Sequence, residues 1–263
     1  MQLIGIDDLR RIQLEILDTV DVFCQENGIQ YSLCGGTMLG AVRHKGYIPW
    51  DDDIDLMMLR TDYDRFLLSF KAAGYHLLDL SSMDNCTEQF CKVCKDGTSM
   101  VDIRFGRSLW GVNIDIFPID GLPADFKPYT DSLRATHKKI MDTCPYYKGI
   151  KAGKMKWFLK YCIKRLIHPT FRSVRSMKDW LNSQAREHLP EDSPLSTVVF
   201  GDYIIYPFRS DLFFRYDRVP FEGKEYSCIR DRNRYLSTVY GDYMQLPPEE
   251  KRITHHTYDA FLL

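Results

Sequence analysis

The chain has 263 residues, 44% hydrophobic and 27% charged, which is enough to bury a real core as one large domain or one domain with an appendage. Its formal net charge of −1 at pH 7 creates no global field toward nucleic acid or an acidic polymer, so any such partner would need a local patch. The amphipathic N-terminal stretch lacks the basic region and apolar core of a signal peptide, and no apolar run approaches the ~18 residues that cross a bilayer.

In chain order, Leu9, Ile12, Ile16, Val20 and Phe23 recur at helical spacing and predict a helix over 8–26, with Gly28 suited to its C-terminal cap. A short strand is expected at 29–34, followed by Gly35-Gly36-Thr37 and a helix over 38–43. Residues 46–49 read as a turn and 53–58 as a strand. Thr61 or Asp62 can cap the next helix, which is expected to run to about 73 and stop at Gly74. Strands are expected at 75–80, 90–95, 98–104 and 112–117, with Asp96-Gly97 as a hairpin signal between the second and third. From about 126 to 189 the pattern is mostly helical, and 198–263 is rich in aromatics and turns. The reading is an α/β (α+β) core with a mixed sheet over 1–125, a helical, basic appendage over 126–197, and a C-terminal segment, 198–263, that packs back on the core.

The stretch HKGYIPWDDDIDLMM (44–58) crowds Asp51, Asp52, Asp53 and Asp55 directly before an apolar run. On a strand reaching back far enough, Asp51, Asp53 and Asp55 would share one face, with Asp52 on the other. Carboxylates at i and i+2 bring oxygens within reach of shared divalent ions, and such hard ligands suit Mg²⁺ or Mn²⁺. Without a cation they would repel one another and raise at least one pKa. The competing reading is an exposed acidic turn.

Two other segments bear on that choice. Cys34-Gly35-Gly36-Thr37 is a strand end, a glycine pair and a helix start, a turn whose N–H groups can approach a phosphate. In Asn113-Ile114-Asp115-Ile116-Phe117 a single acid sits inside a strand-like run, where it must be paired, capped or bound to metal. A Gly-Gly turn, a D-x-D strand and a third acid on a later strand is the arrangement of the nucleotidyltransferase (polymerase-β-like) fold. Asp120 reads as a turn acid ahead of Gly121.

LCGGTMLGAVRHKGYIPWDDDIDLMM resembles the signature of the LicD family, which includes the fukutin-related proteins. IDIFPIDGLP (114–123) and YLSTVYGDYMQLPPEEKRITHH (235–256) resemble its later blocks. The resemblance implies metal-dependent transfer of phosphocholine, or a related alcohol phosphate, from a CDP-activated donor to a hydroxyl of a cell-surface glycan or its lipid-linked precursor. It implies Asp53 and Asp55 as metal ligands, and Asp115 as the third acid and candidate general base. Asp51 would be an outer or additional ligand. It carries Gly35, Gly36 and Thr37 over as the donor-phosphate turn. Arg43, His44 and Lys45 would offset the diphosphate charge, against the alternative of a solvated basic turn. Two metals could clamp the attacking and leaving oxygens. The rival chemistry on the same fold moves a nucleotide from an NTP to a small hydroxyl compound. The non-enzymatic rival is a scaffold for membrane glycan precursors.

The eight cysteines read as reduced cytosolic thiols, and the expected location is cytoplasmic, at most peripheral to the inner membrane face. Cys86, Cys91 and Cys94 have the spacing of half a structural zinc site, with His76 or a distant Cys as a fourth ligand, a reading placed below that of plain thiols. Residues 148–178 hold ten Lys/Arg and no acid. They read as a core-packed helix with a solvated basic face, or more sharply as a surface for an anionic membrane or the phosphates of a lipid-linked acceptor. No nucleic-acid module appears. Tyr226, Tyr235, Tyr240 and Tyr243 read as packing residues rather than a sugar platform, and His255 and His256 receive no role.

Overall fold

A computed structural model describes residues 1–83, 86–102, 107–108, 110–143, 171–198, 206–254 and 258–263. The architecture is mixed α/β. Strand β1 (Gln2–Ile4) leads into helix α1 (Ile6–Asn27), whose buried residues Leu9, Ile12, Ile16, Val20 and Cys24 follow helical spacing. Gly28, at φ +60°, ends it in the left-handed conformation that a residue without Cβ adopts at no steric cost. Strand β2 (Ser32–Leu33), helix α2 (Gly35–His44), strand β3 (Asp55–Leu59) and helix α3 (Arg60–Ser69) follow.

The main sheet is then built from β4 (Tyr75–Asp79), β5 (Cys91–Lys95) and β8 (Asn113–Leu122), with β6 (Thr98–Asp102) and β7 (Arg107–Ser108) lying between β5 and β8 in sequence but in another sheet. β8 organises the whole. It pairs parallel with β3, antiparallel with β5 over its first half, and antiparallel with β9 (Leu195–Thr197) at its end. The sheet is therefore mixed, as expected. Its inner strands bury Leu56, Met57, Met58, Val93, Ile114 and Ile116 in one core, with Asp55 at the start of β3 and Asp115 near the start of β8.

Helices α4 (Phe126–Thr143) and α5 (Phe171–Glu187) pack on each other and on Leu122 and Leu195 in a separate, smaller cluster. β10 (Phe208–Arg209) extends the sheet at β9. The hairpin β11 (Tyr216–Phe221) and β12 (Lys224–Ile229) and helix α6 (Arg232–Tyr240) return to the main core through Val219, Phe221, Tyr226, Cys228 and Leu236. Glu222 and Gly223 both take positive φ, the geometry a two-residue hairpin turn requires. The last strand, β13 (Tyr258–Leu262), lies between β1 and β6, so both ends of the chain share one sheet.

Several local expectations change. Strand β2 keeps only two of the six residues 29–34. Helix α2 starts at Gly35 rather than Met38, because the Met38 N–H already closes the first turn on the Cys34 carbonyl at 3.0 Å. Strand β3 starts at Asp55 rather than at 53, so strand alternation does not govern Asp51 and Asp53. The carbonyls of Asp51 and Asp52 are taken by Arg10 and Gln13 of α1 instead of by a neighbouring strand. Helix α3 ends at Ser69, and Asp62 accepts from the Gln30 N–H rather than capping it. Gly97 does turn the chain at φ +72°, but no β5–β6 hairpin forms. Lys95 donates to Val112, while β6 pairs with β13 and β7. Asp120 is no turn acid: it is fully buried on β8 and accepts a two-pronged pair of bonds from Arg60 at 2.6 and 2.9 Å.

Candidate active site

Asp55 faces Asp115 across the parallel β3–β8 ladder, and Asp115 faces Lys92 across the antiparallel β8–β5 ladder. Directly opposed residues point to the same side of a sheet, so the three charges form one row across three adjacent strands. Lys92 Nζ bonds Asp115 Oδ1 and, at 3.2 Å, Asn113 Oδ1. It also lies 5.2 Å from the Phe90 ring centre and 5.0 Å from that of Trp110. Burial would lower the Lys92 pKa, but the charge and hydrogen bond of Asp115 outweigh it and hold the ammonium form.

Asp55 lies at the centre of negative charge. Burial, then Asp53 and Asp115, push its carboxyl well above the ordinary range; Lys92 opposes the rise and Asp51 adds to it. The segment before β3 reaches this position because α1 grips the backbone of residues 48–52. Arg10 donates through Nε to the Asp51 carbonyl at 3.2 Å and through Nη2 to those of Ile48, Pro49 and Asp51. Gln13 Nε2 donates to the Asp52 carbonyl at 2.9 Å, and the Tyr47 hydroxyl steadies Gln13 at 3.0 Å.

The glycine turn abuts the acids. A Cβ on Gly36 would stand 2.9 Å from Asp51 Oδ2, and one on Gly35 would stand 3.5 Å from Asp55 Oδ2. At Gly36 a side chain would push the Asp51 carboxylate aside, whereas at Gly35 it is the backbone, at φ +50°, that favours glycine. Thr37 serves the acids as well, since its Oγ1 accepts the Asp55 N–H at 2.9 Å. The first-turn N–H groups of Gly36 and Thr37 have no acceptor within the helix and carry its positive dipole end.

Arg43, His44 and Lys45 sit at the other end of α2, about 12 Å along the helix axis by its rise per residue. Arg43 donates to the Tyr243 carbonyl at 2.8 Å and to His44 Nε2 at 2.9 Å. Burial, then the Arg43 charge, lowers the His44 pKa, which suits its role as acceptor. Lys45 is exposed, in the left-handed region at φ +62°, and donates to the Val42 carbonyl. The structure thus gathers Asp51, Asp53, Asp55, Asp115, Gly35, Gly36 and Thr37 at one place and holds Arg43, His44 and Lys45 at another.

Among the described residues no group of three or more His, Cys, Asp or Glu side chains is gathered closely enough to hold a metal alone. The donor chemistry still fits Mg²⁺ or Mn²⁺. Such ions commonly take one or two carboxylates and complete their shell with water and substrate phosphate. Asp55 and Asp115 are opposed in register, and burial followed by the charges of Asp53 and Asp115 raises the Asp55 carboxyl. Cys91 and Cys94 are three apart on β5 and so project to opposite faces, while Cys86 packs with Leu80 and Phe90. Burial pushes the Cys94 thiol up to about 12, and Cys86 and Cys91 also rise by burial, which disfavours the thiolates zinc requires. His76 pairs with Asp96 at 2.6 Å. The basic stripe from 148 to 170 and His255 and His256 lie outside the described residues.

Sequence reasoning missed Lys92, Arg10, Gln13 and Tyr258. Burial raises the Tyr258 pKa, and so do Asp52, Asp53, Asp115 and Asp55, which places its hydroxyl within the field of these acids. Lys92 carried the same signal as Asp115, a charge within a buried strand that must find a partner. Among the described residues no helix is long and apolar enough to cross a membrane.

Residues 28–144 match the family described as LicD/FKTN/FKRP, nucleotidyltransferase domain. The whole chain is 28% identical, over 272 aligned positions covering 100% of both chains, to the lipopolysaccharide cholinephosphotransferase LicD of Haemophilus influenzae. A stretch covering 20% of the chain is 44% identical to 18% of an uncharacterized protein of Rickettsia typhi.

Proposed function

From the premise that this chain belongs to the LicD family, we propose that it transfers phosphocholine, or a related alcohol phosphate, from a CDP-activated donor to a hydroxyl of a lipopolysaccharide-type glycan or its lipid-linked precursor. The observation that carries this reading is the meeting of the glycine turn with the Asp55–Asp115 row. A phosphate-binding helix start and a metal-binding carboxylate pair are the two parts phosphoryl-type transfer needs in one place.

Asp55 and Asp115 would hold the divalent ion, with Asp53 and Asp51 at its flank. That ion supplies charge neutralisation on the phosphate oxygens. The N–H groups of Gly36 and Thr37 bind the diphosphate of the donor at the positive end of α2. Asp115 accepts the proton of the acceptor hydroxyl as the new P–O bond forms and CMP departs. The grip of Arg10 and Gln13 on residues 48–52 keeps the acids in place between turnovers, so the protein acts chiefly through positioning. The core is read as nucleotidyltransferase-like, and the location as the cytoplasmic side of the membrane that holds the acceptor.

Calorimetry with Mg²⁺ against CDP-choline, CDP-ribitol, CDP-glycerol, CTP and ATP tests the reading, with an Asp53→Ala/Asp55→Ala double variant as control. Selective, metal-dependent binding of one CDP-alcohol is expected. The description of the matched family as a nucleotidyltransferase domain keeps a second reading in play, in which an NTP binds and pyrophosphate rather than CMP is released. Binding of none of the panel would refute both.

A further inference from the structure

Lys92 is a charged residue with 7% of its surface exposed, beside a group of carboxylates that would otherwise invite more than one cation. Its ammonium group is committed on every side. Asp115 and Asn113 accept from it, and the rings of Phe90 and Trp110 flank it. Its strand is fixed in register, with Cys91 opposite Ile116 and Val93 opposite Ile114, so the side chain cannot reach Asp115 from any other row. A metal ion on this side of Asp115 would have to displace the ammonium into buried surroundings, where an unpaired charge is costly.

We propose that Lys92 is a positioning residue that takes the place of a second cation, so that the site holds one divalent ion, shared between Asp55 and Asp115, rather than two. The inference rests on the metal reading of the proposed function. Where the sequence allowed two metals, it assigns one metal and one lysine. Lys92 neutralises one side of Asp115 and fixes the carboxylate's rotation, leaving the lone pairs of the other oxygen for the ion and for the proton of the acceptor.

The test is titration of the full chain with Mn²⁺, with and without CDP, read by calorimetry and by electron paramagnetic resonance of free Mn²⁺. Wild-type protein should bind one Mn²⁺ per chain. Lys92→Met removes the competing charge while keeping an apolar stem between the rings. It should bind a second Mn²⁺, or bind the first on the order of tenfold more tightly. Lys92→Arg should restore the wild-type stoichiometry. Two Mn²⁺ per wild-type chain would overturn the proposal without recourse to any variant, and so would a folded Lys92→Met that titrates like wild type. Asp55→Asn separates this inference from the reading beneath it. Mn²⁺ binding that survives Asp55→Asn refutes the metal assignment, whereas binding lost in Asp55→Asn but unaltered in Lys92→Met refutes the role of Lys92 alone. Absence of Mn²⁺ binding in wild type refutes both.

Discussion

Replacing Asp120 with alanine tests whether the active-site row depends on an ion pair outside it. In the β3–β8 register Leu59 stands opposite Ile119, and Arg60 and Asp120 are the next residues along each chain. Their bonds at 2.6 and 2.9 Å close the end of the ladder that sets Asp55 opposite Asp115 at its start. Side-chain exposure is 2% for Arg60 and 0% for Asp120, so Asp120→Ala leaves a guanidinium with almost no water. Breaking one partner of a buried pair costs about 3–5 kcal/mol. Asp64 stands 3.6 Å from Arg60, but it is partly exposed and already pairs with Arg186 at 2.7 Å, so it recovers only part of the loss. The expected destabilisation is therefore at the lower end, about 3 kcal/mol. Urea unfolding with linear extrapolation measures it. Asp131→Ala, which breaks the exposed pair with Lys127, should move the midpoint little by comparison. The Arg60→Met/Asp120→Leu double variant should recover most of the stability, because the unpaired charge is gone. A loss below about 1 kcal/mol in Asp120→Ala would mean that the pair does not lock the ladder, and the reasoning would fail.

Three further outcomes are expected. Asp55→Asn should abolish transfer yet raise the melting temperature of the metal-free protein at neutral pH. The folded pKa of Asp55 lies above its unfolded value, so the folded state holds the proton longer, and its stability falls as pH rises through that interval. The gain should shrink as the pH approaches the ordinary carboxylate range, and thermal unfolding across pH would expose an opposite slope. Arg10→Ala should keep the fold while lowering transfer on the order of a hundredfold, because three carbonyls beside the acids lose their common donor. Unchanged turnover in that variant would remove α1 from the site. In Gly40→Ala the new Cβ would meet the Gly46 carbonyl oxygen at 2.4 Å and the Ile48 nitrogen at 3.2 Å. Both are backbone atoms that cannot rotate away, so a loss of about 1–3 kcal/mol is expected in denaturant unfolding.

The sequence by itself determined the pieces whose causes lie within a few residues. The spacing of Leu9, Ile12, Ile16 and Val20 made α1, and the apolar run after Asp55 made β3. The isolated Asp115 within Ile114 and Ile116 marked a strand acid in need of a partner, and the glycine pair marked a close approach. Tertiary structure alone decided what these pieces meet. The carbonyls of Asp51 and Asp52 are held by Arg10 and Gln13, 39 to 41 residues away, and Asp51 and Asp53 are not placed by the strand alternation the sequence suggested. Lys92 reaches Asp115, and Asp120 reaches Arg60, only because three strands align in one register. Asp96-Gly97 made its turn, yet the strands on either side went to different sheets. Periodicity and turn preference act along the chain and are written in it. A row of charges across a sheet depends on which distant segments share hydrogen bonds, and that is settled by burying the whole core at once.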